Sequence, residues 1–211
     1  NDGQKDIIAG NSGLNHKWKA SVESPVTIYL DDFDENTSLD PIIFYNFFGD
    51  PVPFASRDKL VFSLPFLKKK FLKYNDFVKA KNIKALTDKD EIFQTKRVNE
   101  MRSMAFIQNN NIFTPTPLPN ILQLSTIEDF YVDNDKIYYV GNYSGNVSEL
   151  GPTLSNSGGV LIGYDGYNYK SHKFLGLPIN YEARHIDKIN KNTLLVIGNN
   201  NKAYRLDLIE K

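Results

Sequence analysis

The sequence predicts an all-β fold, made of β-propeller blades that form a partial propeller with a small α-helical insertion. Three apolar strands end in the same Gly-Asn pair, at residues 7–11, 138–142 and 195–199, and such a recurring phrase indicates a repeat architecture. A fourth apolar strand lies at residues 41–45. Once an insertion of roughly 45 residues is removed, the long gap between strands shrinks to about 50 residues, which is typical of propeller blades.

The 211 residues divide into three predicted segments. Residues 1–55 are expected to form propeller blades with acidic loop motifs, residues 56–100 the helical insertion, and residues 101–211 further blades. Seven blades of about 50 residues need a longer chain. We therefore expect the remaining blades to lie outside this sequence.

Short turn motifs predict antiparallel hairpins within the blades. Asn-Asn-Asn at 109–111, Asp-Gly at 165–166 and Asn-Asn-Asn at 199–201 each separate two short runs rich in apolar residues. For the Asp-Gly motif the second strand is expected at 167–169. Asn and Gly tolerate the positive φ values of tight hairpins.

The insertion is predicted to contain two helices. In the first, apolar residues recur at helical spacing along one face; they are Leu67, Phe71, Tyr74 and Val78. Ser63 is the expected N-cap of this helix. The second helix is expected from Thr87 to about Arg97.

Composition argues against several function classes. The chain has 25 basic and 25 acidic side chains and a formal net charge of zero, which does not fit the basic stripes of nucleic-acid binders. No run of residues approaches the ~18 consecutive apolar residues of a membrane span. The chain has no cysteine, which excludes disulfides, thiolate zinc sites and a cysteine nucleophile.

An acidic loop precedes the strand at 41–45. Its oxygen-bearing residues occupy alternate positions of the loop and are Asp32, Asp34, Asn36, Ser38 and Asp40. Ca²⁺ takes about 6–8 oxygen ligands, and a tight loop can supply them from positions 1, 3, 5, 7 and 9, with a backbone carbonyl at position 7. The loop therefore predicts a Ca²⁺ site. A solvated acidic turn is the alternative.

A second acidic loop precedes the strand at 7–11. Asp2 and Asp6 fit positions 5 and 9 of the same register, and positions 1 and 3 would fall before the first residue. We therefore expect the chain to be part of a longer protein. The equivalent stretch at 129–136 has lost the spacing, and we expect no ion there.

These motifs resemble a known family. The stretch 2–15, Asp-Gly-Gln-Lys-Asp-Ile-Ile-Ala-Gly-Asn-Ser-Gly-Leu-Asn, looks like the Ca²⁺-loop-and-strand unit of FG-GAP/VCBS repeats. More narrowly, the chain is similar to the C-terminal part of bacterial VCBS repeat proteins that carry an ASPIC/UnbV module, relatives of cartilage acidic protein. Other matching stretches follow in order at 25–29, 56–60, 64–71, 141–143, 159–161 and 196–201.

The resemblance implies an integrin-α-type propeller with Ca²⁺ in its blade loops. The ligand positions carry over to the loop at 32–40, where Glu35 and Thr37 depart from the family pattern and put the affinity in doubt. The implied protein is extracytoplasmic, at the bacterial cell surface or outer membrane, often as a lipoprotein, or secreted. Its implied role is a non-enzymatic binding or scaffold module. Its partner would be a protein or glycan, within a nutrient-uptake or surface complex.

Two other functions stay open at this point. The first is a carbohydrate-active enzyme on a propeller scaffold, for which Glu128 and Asp129 form the best nominal carboxylate pair. Tyr181, Arg184 and His185 form a polar cluster that fits lyase-type acid–base chemistry, although Arg184 also fits a structural role at a strand start. The second is a purely structural subunit of an outer-membrane complex.

Overall fold

The structure is a computed structural model that describes residues 4–151 and 154–208. Strands account for 38% of the residues and helices for 13%, which confirms the predicted all-β class. The strands form four antiparallel sheets, none of which closes on itself within the described ranges. None of the helices in these ranges is long and apolar enough to cross a membrane.

The elements in chain order are as follows. The strands are β1 (Ile7–Ala9), β2 (Val26–Asp31), β3 (Asp40–Phe47), β4 (Asp50–Pro53), β5 (Gln94–Val98), β6 (Met104–Asn109), β7 (Ile112–Pro117), β8 (Ile127–Asp133), β9 (Lys136–Gly141), β10 (Gly158–Ile162), β11 (Ser171–Phe174), β12 (Ala183–Asn190), β13 (Thr193–Gly198) and β14 (Tyr204–Asp207). The α-helices are α1 (Arg57–Ser63), α2 (Leu67–Lys70), α3 (Tyr74–Phe77) and α4 (Ile83–Thr87).

Residue contacts divide the chain into two units. The first unit combines Asn1–Lys17 with Met101–Lys211 and contains the sheets β1-β6-β7, β11-β10-β9-β8 and β12-β13-β14. The second unit, Trp18–Glu100, contains the sheet β4-β3-β2-β5 and the four helices. The second unit is thus inserted in the sequence between β1 and β6, which are neighbours in one sheet.

Strand β9 is apolar along most of its length because both of its faces are covered. Side chains of successive strand residues point to opposite faces. Tyr138 and Val140 pack with residues of β12 and β13, whereas Ile137 and Tyr139 pack with Ala105 of β6 and its neighbours. The sheet that contains β9 therefore lies between the other two sheets of the first unit.

Two of the three Gly-Asn pairs hold the start of β8 from opposite sides. Ile127 N donates to Asn11 O at 3.0 Å, and Asn142 N donates to Thr126 O at 2.9 Å. A Cβ atom on Gly10 would lie 2.2 Å from Ile127 O, and one on Gly141 would lie 1.8 Å from Thr126 O. Only glycine permits such a close approach of two backbones.

The Asn142 side chain connects segments from three parts of the first unit. Its Oδ1 accepts hydrogen bonds from Ser125 Oγ at 2.5 Å and Asn156 N at 3.2 Å. Its Nδ2 donates to Ile179 O at 2.8 Å and Tyr181 O at 3.0 Å. The residue is 0% exposed, so these contacts satisfy the full capacity of a buried amide.

The predicted antiparallel hairpins are confirmed for all three turn motifs, since β10 also pairs with β11, but one expected strand is misplaced. β6 pairs with β7 around Asn110 and Asn111, whose φ values are 50° and 65°, and β13 pairs with β14. The strand expected at 167–169 is wrong, because β11 begins at Ser171. Asp165 Oδ1 accepts from the backbone N–H groups of residues 167 and 168, which keeps that stretch in a turn.

The prediction of one helix through residues 67–78 is wrong. The chain forms α1, α2 and α3 instead, and the N-cap of α1 is Ser56, not Ser63. Leu67 and Phe71 are buried, whereas Tyr74 and Val78 are exposed. The chain changes direction after α2, so the four apolar residues do not share one helical face.

The prediction of a helix from Thr87 to Arg97 is also wrong. α4 begins after its N-cap Asn82 and ends at Thr87. The next residue, Asp88, is the C-cap and has a φ of 64°. Residues 94–98 form β5, which pairs with β2. All five residues of β5 are exposed, so backbone pairing and not an apolar pattern determines this strand.

We predict that Asn142→Gly lowers the free energy of unfolding by at least about 2 kcal/mol, because buried partners lose their hydrogen bonds. Glycine adopts the φ of 86° at this position easily, so backbone strain does not confound the result. Urea unfolding of the full chain measures the change. The matched control is Asn111→Gly, at φ 65° in an exposed turn, which should be neutral or stabilising. Equal effects of the two substitutions would contradict the role given to the Asn142 amide.

Candidate metal site

The acidic loop predicted from the sequence connects β2 to β3 in the second unit. It is closed at its base, where Asp31 is paired with Asp40 in the antiparallel register. Phe33 lies in the buried core of this unit and anchors the loop from inside. The loop is therefore held at both ends and at its second position, while its acidic residues are only partly buried or exposed.

The loop brings three carboxylates together. One oxygen of each of Asp32, Asp34 and Asp40 lies within 4.8 Å of the corresponding oxygens of the other two. Two ligands at the Ca²⁺–oxygen distance of about 2.3–2.6 Å are at most about 5 Å apart. The observed spacing is therefore compatible with one ion of this size. Ligands of Mg²⁺, at about 2.0–2.1 Å, would have to move closer together.

Backbone donors orient these carboxylates. Both oxygens of Asp32 accept hydrogen bonds, from Asn36 N at 2.9 Å and Thr37 N at 2.7 Å. Asp40 Oδ2 accepts from Phe33 N at 3.2 Å. Carboxylate oxygens keep further lone pairs for a ligand, so the hydrogen bonds fix the geometry without using all of the acceptor capacity.

Asp34 is the least satisfied of the three. Its Oδ2 accepts from Asn36 Nδ2 at 3.0 Å, while its Oδ1 is buried and has no hydrogen-bond partner among the described residues. A buried carboxylate oxygen without a donor is costly. A bound cation would satisfy it, so the residues present fit Ca²⁺.

The charge of the loop is only partly balanced. Burial, together with the negative charges of Asp34 and Asp32, raises the pKa of Asp40. Lys89 Nζ contacts Asp31 Oδ1 at 2.6 Å and Asp32 O at 2.5 Å, and its hydrogen bond lowers the pKa of Asp31. Lys89 could not be predicted from the sequence of the loop, since it lies on a separate segment.

The other predicted ligands differ in their distance from this cluster. Asn36 contacts both Asp32 and Asp34, and its Oδ1 accepts from Ser38 N at 2.8 Å, so both residues lie in the same turn as the three carboxylates. Asp6, in the first unit, accepts from Gln108 N at 2.9 Å. Asp2 lies outside the described residues.

The residues proposed for the enzymatic alternative have separate partners. Glu128 Oε1 lies 2.5 Å from Arg184 Nη1, whereas Asp129 Oδ2 accepts from Ile186 N at 3.0 Å. The Tyr181 hydroxyl donates to Lys202 O at 2.6 Å, and the ring is part of the core. Glu128 and Asp129 therefore contact different partners, and the enzymatic alternative stays a hypothesis.

Comparison of the chain with protein-family models, with curated proteins and with solved structures gave no match.

Thr37 adopts φ 72°, which is strained for a β-branched residue. We predict that Thr37→Gly raises the free energy of unfolding by about 1 kcal/mol, measured by urea unfolding in chelator. The matched control is Thr95→Gly in strand β5, which should destabilise because glycine weakens a strand. A loss of stability in Thr37→Gly would show that the side chain matters more than the backbone strain.

Proposed function

We propose that the chain is a non-enzymatic, Ca²⁺-binding repeat protein of the FG-GAP/VCBS type. In this proposal it works as a binding or scaffold module at the bacterial cell surface, in an outer-membrane complex. The single observation on which the proposal rests is the convergence of Asp32, Asp34 and Asp40 in one loop. In a turn without an ion, the buried Asp34 Oδ1 has no donor among the described residues. A bound cation would supply the missing partner.

The extracytoplasmic location in this proposal follows from the resemblance of the loop to the Ca²⁺ loops of FG-GAP/VCBS repeats. Extracellular Ca²⁺ modules work with dissociation constants of about 10⁻⁴–10⁻³ M, and we expect an affinity in this range. Glu35 and Thr37 adopt positive φ values, 64° and 72°, in the folded loop without an ion, so this backbone strain is a cost of folding and not of binding.

The arrangement of sheets in the first unit supports propeller blades. The sheet β11-β10-β9-β8 is a four-stranded antiparallel meander, which is the usual form of a blade. Both of its faces are buried against neighbouring sheets, as expected for a blade with a neighbour on each side. Two of the three Gly-Asn pairs lie at equivalent strand ends, after β9 and β13, where Asn142 N donates to Thr126 O and Asn199 N donates to Glu182 O, whereas the first pair follows the edge strand β1.

We predict that Ca²⁺ raises the melting temperature of the chain and that chelator reverses the effect. Binding to the folded state alone adds about 2.7 kcal/mol at a hundredfold excess over Kd, and each kcal/mol corresponds to roughly 2–4 °C in a chain of this size. Asp34→Ala should remove most of the shift. Thermal melts with Ca²⁺ and with chelator measure it directly.

Three controls make this test specific. Asp76→Ala removes an exposed carboxylate of the same unit that pairs with Lys79, and it should keep the full Ca²⁺ shift. Mg²⁺ should substitute poorly because of its shorter ligand distances. Asp40→Asn should stabilise the protein in chelator, since it removes like-charge repulsion, and should weaken the Ca²⁺ shift. If the thermal melts of the wild-type protein with Ca²⁺ and with chelator superimpose, the loop is only an acidic turn.

We further predict that the native protein co-purifies with a partner from bacterial membranes. After mild detergent extraction, a scaffold module should elute in a complex larger than its own mass. Recovery as a free protein in the culture supernatant would contradict a role in an outer-membrane complex and favour a secreted binder.

A further inference from the structure

A polar cavity lies at one end of the strands of the first unit, where β9 and β13 end and β12 begins. Its volume is about 280 Å³, and it is lined by Ser144, Asn180, Glu182, Asn199, Asn200 and Asn201. This is close to the lower bound of about 300 Å³ for small-ligand pockets. The lining contains amides, a hydroxyl and one carboxylate, and no apolar side chain. We call it the Glu182 cavity.

The carboxylate of this cavity is held in place by two loops. Ser144 N donates to Glu182 Oε1, and Asn199 Nδ2 donates to Glu182 Oε2 at 3.2 Å. The side chain is 12% exposed. Hydrogen bonding by Ser144, then by Asn199, together with the charge of Arg184, keeps the pKa of Glu182 below its ordinary value. The group is therefore an ionised, fixed acceptor with lone pairs left for hydroxyl donors.

The amides around Glu182 provide the complementary groups. Asn180, Asn200 and Asn201 are exposed, and a side-chain amide offers two donors and one acceptor oxygen. Asn201 Oδ1 accepts from Lys202 N at 2.8 Å. The side chains of Asn180 and Asn200 make no hydrogen bond within the described residues. They are therefore available to a ligand.

An aromatic ring and a cation lie beside the carboxylate. The Arg184 guanidinium lies 5.4 Å from the ring centroid of Tyr143, 2.5 Å from Glu128 and 3.9 Å from Glu182. Tyr143 is 38% exposed, which leaves part of the ring accessible next to Ser144. Aromatic rings with a polar tip suit ligands that have both C–H and O–H groups.

We propose that the Glu182 cavity binds a neutral sugar residue of a glycan. Neighbouring sugar hydroxyls match an ionised carboxylate and adjacent amides, since each hydroxyl both donates and accepts a hydrogen bond. The negative charge of Glu182 disfavours phosphate, sulfate and uronate ligands. The hydrogen bond from Ser144, with that from Asn199 and the charge of Arg184, lowers the pKa of Glu182, which makes this carboxylate a poor general acid. The site is therefore suited to binding and not to hydrolysis.

This inference deepens the proposed surface-binding function, on which it rests, by naming the ligand class. The test is affinity electrophoresis of the full chain through gels that contain one neutral polysaccharide each: α-mannan, starch, laminarin or galactomannan. We expect one of them to retard the wild-type protein. Asn180→Ala should weaken binding about 3- to 10-fold, and Glu182→Gln should weaken it at least tenfold.

The matched control is Asn168→Ala, an exposed amide in the β10–β11 loop, which should bind like wild type. Thermal melts show whether each variant is folded. Asn180→Ala serves as the main test because the Asn180 side chain makes no hydrogen bond within residues 4–151 and 154–208. Retardation by none of the four polysaccharides overturns the proposal, as does retardation that both variants leave unchanged. If either occurs while Ca²⁺ still stabilises the protein and membrane partners still co-purify, the surface-binding function stands with a protein partner.

Discussion

The buried amide of Asn142 is the contact on which the first unit depends. A side chain with two donors and two acceptor lone pairs, without access to solvent, must find partners inside the protein. It finds them in Ser125, Asn156, Ile179 and Tyr181, which belong to segments far apart in sequence. An apolar residue could fill the same space but could not specify which segments meet. The amide therefore links the sheet of β9 to the segment that precedes β12, while the apolar clusters supply most of the stability.

The same strand ends also position the residues of the Glu182 cavity, for which we propose a ligand. Gly141 lets the backbone of Thr126 approach, and the following residues turn away from the sheet to form the loop that contains Ser144. Asn199, after Gly198, donates its backbone N–H to Glu182 O at 2.9 Å. The Gly-Asn motif at the ends of β9 and β13 thus also brings two loops to the carboxylate of Glu182. The strand ends after β9 and β13 therefore serve both the fold and the proposed site, because a rigid strand end holds a polar group in a fixed position.

The sequence predicted the parts that local chemistry decides. The all-β class, the turn at Asn110–Asn111 and the convergence of alternate carboxylates in one loop follow from residues close together in the chain. The helix through residues 67–78 was mispredicted because Phe71 is buried whereas Tyr74 is exposed. The spacing of the apolar residues did not reveal this difference in burial. Neither Lys89 beside the acidic loop nor the neighbours of Glu182 could be predicted, since each contact joins segments that only the tertiary fold brings together. The Gly-Asn repeat marked the right strand ends but did not show that one of its amides would be buried.

The two candidate sites differ in how their charge is balanced, and this difference determines the ligand that each can take. In the loop at 32–40, Asp34 Oδ1 lacks a donor among the described residues, and burial together with the charges of Asp34 and Asp32 raises the pKa of Asp40, so Lys89 balances the negative charge only in part. In the Glu182 cavity, two donors and a guanidinium already stabilise the carboxylate, so no cation is required. Uncompensated carboxylates favour a metal ion, whereas a compensated carboxylate among free amides favours a neutral ligand with hydroxyl groups. This difference in charge balance is the physical basis for proposing an ion in the first site and a neutral ligand in the second.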